Sequence, residues 1–331
     1  MDSVIFVPIE RLEERYSAQW FGWFIEAFHR RGVEPIVVGD QQARQIKTGQ
    51  FLDVHETNIY KVGQLQQVLK HIEAGFRGTV FFMDLWFPGL EALAYVRDAL
   101  AAKIRIRGIF HAGTWDPWDF LTQRGMGQWA EMLERSWLKL ADEVYVATGF
   151  HFELLSRRFD ASTGGKVKLV KFPVYEGRGE ERQVKEDIVV FPHRLAPEKE
   201  PEAFGQVQER YEEKYGVGPE WVRTKDVCQT KDDFYRLLGR SKVAFSSALQ
   251  ETFGIAMLEA YNLGCLPVVP DRLSYRETIP TRYRYQTLEQ AVEVIHRLLI
   301  GYDEEREQYE GARVRSVYTE SADSIIEQVL R

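Results

Sequence analysis

Short apolar runs recur along this chain with segments of helical periodicity between them, and no other feature restricts its fold so tightly. Val4–Pro8, Glu34–Val38, Thr79–Met83, Ile104–Phe110, Glu143–Ala147 and Lys168–Lys171 read as strands. Ala18–Arg31, Leu65–Ala74, Glu91–Ala102 and Gly127–Ala141 read as helices, the first of them stopped by Gly32. Strands that alternate with helices lie parallel in an open sheet with helices on both faces. The pattern pauses at the polar, Gly-containing stretch 176–187 and resumes with the apolar run Ile188-Val-Val-Phe191. At 331 residues the chain is long enough for two ordinary domains. The expected class is therefore α/β, with doubly wound sheets in 1–175 and 188–314 and a linker at 176–187. An amphipathic helix, Ser321–Leu330, lies in the closing segment 315–331.

The second unit carries the most informative string, Glu251-Thr-Phe-Gly-Ile-Ala-Met-Leu-Glu259, which runs on through Gly264 to Leu266-Pro-Val-Val269. It reads as a loop bearing a carboxylate, a helix bearing a second, a glycine stop and a buried strand. Eight residues of helical rise set two such carboxylates about 12 Å apart along the axis. That separation suits a nucleotide sugar laid along the helix start, with the first-turn amides facing its diphosphate. Upstream, Pro192-His-Arg194-Leu-Ala-Pro-Glu-Lys199 follows the strand that begins at Ile188. The carboxyl end of such a strand is where open α/β sheets bind ligands. Arg194 and Lys199 suit a diphosphate there, Arg as a bidentate partner and Lys as a point charge.

Both strings resemble segments of retaining glycosyltransferases with the GT-B fold, the glycogen-synthase-like group with its Glu-x7-Glu segment and Arg-Leu-x-Pro-Glu-Lys loop. Phe191-Pro-His-Arg194, Lys231-Asp-Asp-Phe-Tyr-Arg-Leu-Leu238 and Asp271-Arg-Leu-Ser-Tyr-Arg-Glu277 look like the tRNA-queuosine mannosyltransferases and phage-type nucleic-acid base glycosyltransferases. This closer likeness covers the donor half only; the N-terminal patterns of the queuosine enzymes are missing. The resemblance implies two Rossmann-like domains facing each other across a cleft, with the terminal helix crossing back to the first. It implies that Arg194, Lys199 and the Thr252, Phe253, Gly254 and Ile255 segment hold the donor diphosphate. Glu251 would meet the donor sugar and Glu259 the ribose. The donor would be a UDP- or GDP-sugar, and no metal would be required. The implied acceptor is a hydroxyl on a modified base in DNA or tRNA. The alternatives are a glycan, lipid or small-molecule acceptor, or a noncatalytic nucleotide-sugar-binding protein.

Composition narrows the partners. Net charge is −7, yet residues 1–175 balance at 21 basic and 21 acidic side chains, so the acidic excess lies in the second half. A strong nonspecific DNA binder is more basic than this. A local phosphate-contacting face remains compatible, with Lys103, Arg105, Arg107, Arg157, Arg158, Lys166, Lys168 and Lys171 as its candidates. The two cysteines, Cys228 and Cys265, give no disulfide framework or metal spacing and read as small buried residues. No apolar stretch has membrane-spanning length and no signal pattern follows Met1, so a cytoplasmic protein without a membrane partner is expected. Gly177-Arg-Gly179 lacks the third glycine of a dinucleotide fingerprint, and no phosphate-binding G-x-x-x-x-G-K-[ST] loop occurs.

Three first-half loops lie at the ends of expected strands, where a two-domain α/β protein places its cleft. They are Glu10–Trp20 with Trp23, Asp84–Gly89 and His111–Phe120. Arg15, Tyr16, Trp86, Trp115, Asp116 and Trp118 are the acceptor-binding candidates, because aromatic rings in polar loops stack on bases or sugars. Asp84 and Asp119 are further partners for acceptor hydroxyls, and the aspartates form no Asp-x-Asp metal motif. His151 is expected on the interdomain face. In related GT-B enzymes a His or acidic residue at the place of His111 faces the reacting centre. The catalytic candidates are therefore Glu251, His111, Arg194 and Lys199.

Overall fold

Five crossovers thread the first six strands into one parallel sheet. In the computed structural model, which describes residues 3–12, 15–40, 53–159, 165–175, 183–305 and 322–331, these are β1 (Ser3–Val7), β2 (Ile36–Val37), β3 (Gly78–Phe82), β4 (Ile104–Ile109), β5 (Glu143–Val146) and β6 (Val167–Leu169). Their order is β2-β1-β3-β4-β5-β6, and every pairing is parallel. The helices are α1 (Tyr16–Arg30), α2 (Val54–Glu73), α3 (Leu90–Ala99), α4 (Phe120–Gln123), α5 (Gly127–Leu140) and α6 (Gly149–Phe159).

Side chains alternate across a strand, so each sheet face collects every second residue. Ile5, Val7, Val80, Phe82 and Ile106 join Val68 of α2, Leu93 of α3 and Trp137 of α5 in one core. Phe6 and Phe81, paired in register, turn to the other face and meet Phe24 and Phe28 of α1. The C-terminal helix, Asp323–Leu330, packs against α1 in this unit. Asp323 in its first turn pairs with Arg30 and Arg31 at the end of α1, a match of opposite helix poles. Arg107 donates to the Gln328 and Val329 carbonyls at 2.6 and 3.0 Å.

The second sheet repeats the plan with five strands: β7 (Glu186–Phe191), β8 (Glu220–Arg223), β9 (Ser241–Phe245), β10 (Leu266–Pro270) and β11 (Arg284–Tyr285). The order is β11-β10-β9-β7-β8, again all parallel. Its helices are α7 (Pro201–Tyr215), α8 (Thr224–Val227), α9 (Lys231–Arg240), α10 (Ile255–Asn262), α11 (Tyr275–Thr278) and α12 (Leu288–Ile300). α7 and α12 pack together, as do α9 and α10. By contacts the chain forms two compact units, Met1–Ala147 with His151–Pro173 and Ser321–Arg331, and Thr148–Phe150 with Val174–Glu320. Much of the stretch 176–187 lies outside the described residues.

In each sheet the first crossover runs one way and the next returns the other way. The strand order therefore reverses between β1 and β3, and again between β7 and β9. Such a switch point opens a crevice beyond the strand ends, into which both flanking loops project. In the second unit those loops are Pro192–Lys199 and Ser246–Gly254.

Lys185 locks the helices of the second unit. Its ammonium donates to the carbonyls of Leu238, Ser241 and Leu263, at the carboxyl ends of α9 and α10. Those carbonyls have no partner inside their own helix ends, and the helix poles there favour a cation. Lys185→Met should lower the unfolding free energy by about 2–3 kcal/mol, read by denaturant unfolding. A loss under about 0.5 kcal/mol would mean that water replaces the lysine at no cost.

Candidate functional site

The switch point of the second sheet gathers most of the donor-binding candidates. Pro197–Lys199 forms a single 3-10 turn, which swings Lys199 inward until the residue is 8% exposed. Its ammonium donates to the Gln250 carbonyl at 2.5 Å and to Glu251 Oε2 at 3.1 Å. Glu251 Oε1 accepts the Gly254 N–H at 2.9 Å. Burial alone would raise the Glu251 carboxyl, but Lys199 and the Gly254 amide outweigh it and hold the group below its ordinary value.

Glu251 stands four residues ahead of α10, so the spacing of a continuous helix does not apply between it and Glu259. Gly254 fills the cap position with φ of 89°, where a Cβ would be strained and would meet the Tyr275 ring at 3.1 Å. A glycine cap has no side chain, so none accepts from the first-turn amides that begin at Ile255. Phe253 is buried, and the Thr252 carbonyl accepts the Thr148 hydroxyl at 2.7 Å. At the far end, Gly264 takes φ of 74° and its N–H meets the Tyr261 carbonyl, while Cys265 N–H meets that of Ala260. This closes α10 as the sequence led us to expect.

Arg194 is more open. Its guanidinium donates to Glu198 Oε1, at 2.7 Å from Nε. Beneath, His193 Nε2 lies 2.8 Å from Ser246 Oγ, which lies 2.9 Å from the Tyr275 hydroxyl. Burial, aided by the Lys199 charge, pushes the His193 imidazole down to about 3. Glu259, 2% exposed, accepts from Lys231 Nζ at 3.0 and 2.8 Å and from the Tyr235 hydroxyl at 2.7 Å. Lys231, 28 residues from Glu259 in the chain, is not singled out as its partner by any pattern in the sequence. Arg194 and Lys199 are thus two cations, each held by a carboxylate, beside a helix start with no side-chain cap. An incoming diphosphate can exchange for those carboxylates.

The first unit uses its candidate residues differently. Arg15 and Tyr16 begin α1, and the Tyr16 ring lies 5.7 Å from that of His111. His111 Nε2 lies 2.9 Å from the Met83 carbonyl, and burial lowers its affinity for a proton. Trp86 is pinned from several sides. Its Nε1 donates to Glu134 at 3.0 Å, its amide to Asp84 Oδ1 at 3.0 Å, and Lys61 donates to its carbonyl. Glu134 also accepts from the Thr114 amide and hydroxyl, and burial still pushes its carboxyl up to about 7.

Several expectations for these loops need correction. Trp115 is 5% exposed and packs on Phe110, Phe159 and His151, so its ring supports the loop from beneath. His151 is itself buried against that ring. Asp116 is buried and accepts the Trp118 amide at 2.9 Å, while Asp119 accepts that of Leu121 at the start of α4. Both carboxylates shape the loop, as short acidic side chains do in turns. Trp118, 39% exposed, is the ring of this loop with an open face. Among the basic candidates, Arg107 holds the C-terminal helix and Lys166 donates to the Lys139 and Ala141 carbonyls at the end of α5. Cys265 is buried as expected, but Cys228 is only half-buried. Among the described residues no helix is long and apolar enough to cross a membrane, and no group of three or more His, Cys, Asp or Glu is placed to hold a metal ion.

No family model matches the chain. The tRNA-queuosine alpha-mannosyltransferase of Drosophila melanogaster is 32% identical over 87 residues, which is 26% of this chain and 21% of the fly protein. Sucrose-phosphate synthase from Thermosynechococcus elongatus superposes with a TM-score of 0.63 at 13% identity, covering 100% of this chain and 95% of that one. An alpha-glucosyltransferase in complex with UDP and a 13-mer DNA containing a central A:G mismatch gives 0.61 at 13% identity, covering 99% and 98%. The fold is the two-domain, Rossmann-like GT-B fold.

Burial of His193 has a pH signature. The folded protein binds its proton only near pH 3, whereas an unfolded histidine binds one below about 6.5. The stabilisation is therefore complete above pH 6.5 and is lost as pH falls towards 3. Between pH 7 and 4, His193→Gln should lose less unfolding free energy than wild type, by more than about 1 kcal/mol. Parallel pH profiles would place the wild-type proton elsewhere.

Proposed function

We propose that this chain is a retaining glycosyltransferase that moves a sugar from a UDP- or GDP-sugar to a hydroxyl, without a metal. The observation that carries the reading is the buried Lys199–Glu251 pair at the switch point, beside a helix start capped by glycine. Lys199, Arg194 and the α10 amides would neutralise the diphosphate as it departs, which is electrostatic stabilisation by groups already in place. Glu251 would orient the sugar and Glu259 the ribose. The bond between the anomeric carbon and the phosphate oxygen breaks as the acceptor oxygen approaches from the same face. The acceptor's proton passes to the departing phosphate oxygen, and the anomeric configuration is kept.

For the acceptor we favour a modified base in DNA or tRNA. Support comes from the fly enzyme, whose name gives tRNA-queuosine as its substrate, and from the alpha-glucosyltransferase seen with UDP and DNA. The exposed ring of Trp118, the Tyr16 ring and the nearby His111 would take the acceptor side. Burial of Trp115 and Asp116 favours a second reading, in which the acceptor is a glycan or small molecule that needs no stacking platform.

Two tests follow from the site. Lys199→Ala should weaken nucleoside diphosphate binding by about 30-fold or more, since it removes a charge-assisted contact. Glu251→Gln should leave that affinity within about threefold yet cut turnover by about 100-fold. Unchanged affinity in the first or full turnover in the second removes the role assigned. Release of nucleoside diphosphate from UDP-, GDP- and ADP-sugars, with and without hydroxymethylated DNA or bulk tRNA, decides the acceptor. Stimulation by one nucleic acid supports the first acceptor reading; release that neither stimulates supports the second.

A further inference from the structure

Lys231 opens α9 directly after Thr230, whose hydroxyl and the Asp233 carboxylate cap each other's backbone amides, so its place in the first turn is fixed. From there the ammonium reaches both oxygens of Glu259, at 3.0 and 2.8 Å. It also lies 4.4 Å from the Phe234 ring centroid and 4.8 Å from that of Tyr235. Tyr235 stacks on Tyr175 at 3.9 Å with planes 13° apart. The side chains of Lys231 and Glu259 are 16% and 2% exposed. Withdrawing two opposite charges from water brings little stability, and apolar residues of similar size commonly do as well. A pair kept under those terms, between the first turn of α9 and α10, points to a ligand.

The chemistry of the pair says which kind. An ammonium offers three donors and no acceptor, and a carboxylate offers only acceptors. Glu259 takes two of the lysine's donors, which leaves one for a ligand oxygen. Each hydroxyl of a vicinal diol gives one proton and accepts another. Resting on the reading that Glu259 meets the donor ribose, we infer that Lys231 is a specificity-determining residue that reads the ribose diol jointly with Glu259. With the Tyr235 hydroxyl also on the carboxylate, one ribose hydroxyl donates to the site left on Glu259 and the ammonium donates to the diol. The Glu-x7-Glu string assigns the ribose to the carboxylate alone.

The test is calorimetric binding of UDP and GDP and their 2′-deoxy and 3′-deoxy forms to wild type, Lys231→Met, Lys231→Gln and Tyr235→Phe. Lys231→Gln keeps a donor for Glu259 and serves if the Met variant fails to fold. Wild type should bind the ribo form of its preferred nucleotide about tenfold or more tightly than at least one deoxy form. That preference should fall below about threefold in both lysine variants and persist in Tyr235→Phe. Undiminished preference in the lysine variants overturns the inference. So does equal weakening of ribo and deoxy forms, which would make Lys231 only a support for Glu259. A wild type that binds nucleotide without preference overturns it while leaving the donor site standing. A wild type that binds neither nucleotide overturns the donor-site reading and this inference with it.

Discussion

The second unit's site depends on one contact, the buried ion pair of Lys199 and Glu251. It ties the loop after β7 to the loop after β9 across the point where strand order reverses. The 3-10 turn at Pro197–Lys199 carries the ammonium inward, and the left-handed glycine at 254 lets the chain turn from Glu251 into α10. His193, Ser246 and Tyr275 form a hydrogen-bonded chain beneath. Removing one partner of such a pair leaves an uncompensated buried charge, so neither is exchangeable alone.

The two units use polar residues in opposite ways. In the second, cations are held by carboxylates that an anion can displace. In the first, loop carboxylates are committed to backbone amides, Asp84 to Trp86, Asp116 to Trp118 and Asp119 to Leu121, and Glu134 of α5 holds the loop amide of Thr114. Those bonds fix the shape of the loops more than they offer partners to a ligand. Trp118 keeps an open ring face in these loops.

Most strands of both sheets were legible because a strand buried on both faces is a short apolar run, and little else produces one. The exceptions have physical reasons. β8 and β11 are short and carry charged residues, so the apolar signal is weak there. α7 buries Ala203, Phe204, Val207 and Tyr211 at helical spacing, but charged residues between them mask the stripe. α2 begins at Val54, eleven residues before the stretch read as helical, because only Tyr60 and Gln64 are buried among its residues before Leu65. The Glu251–Glu259 string stands out in sequence because its residues lie within one loop and one helix. The pairing of Lys231 with Glu259 does not, because it arises from contact between two helices. Trp115 misled for the converse reason: an aromatic in a polar loop looks the same in sequence whether its ring faces water or core.

A crystal structure of the protein with UDP or GDP, whichever it binds, tests the site at the switch point. The terminal phosphate should lie within hydrogen-bonding distance of the Lys199 ammonium and the first amides of α10, with the ribose against Glu259. A nucleotide bound elsewhere, with the Lys199–Glu251 pair undisturbed, would contradict that placement.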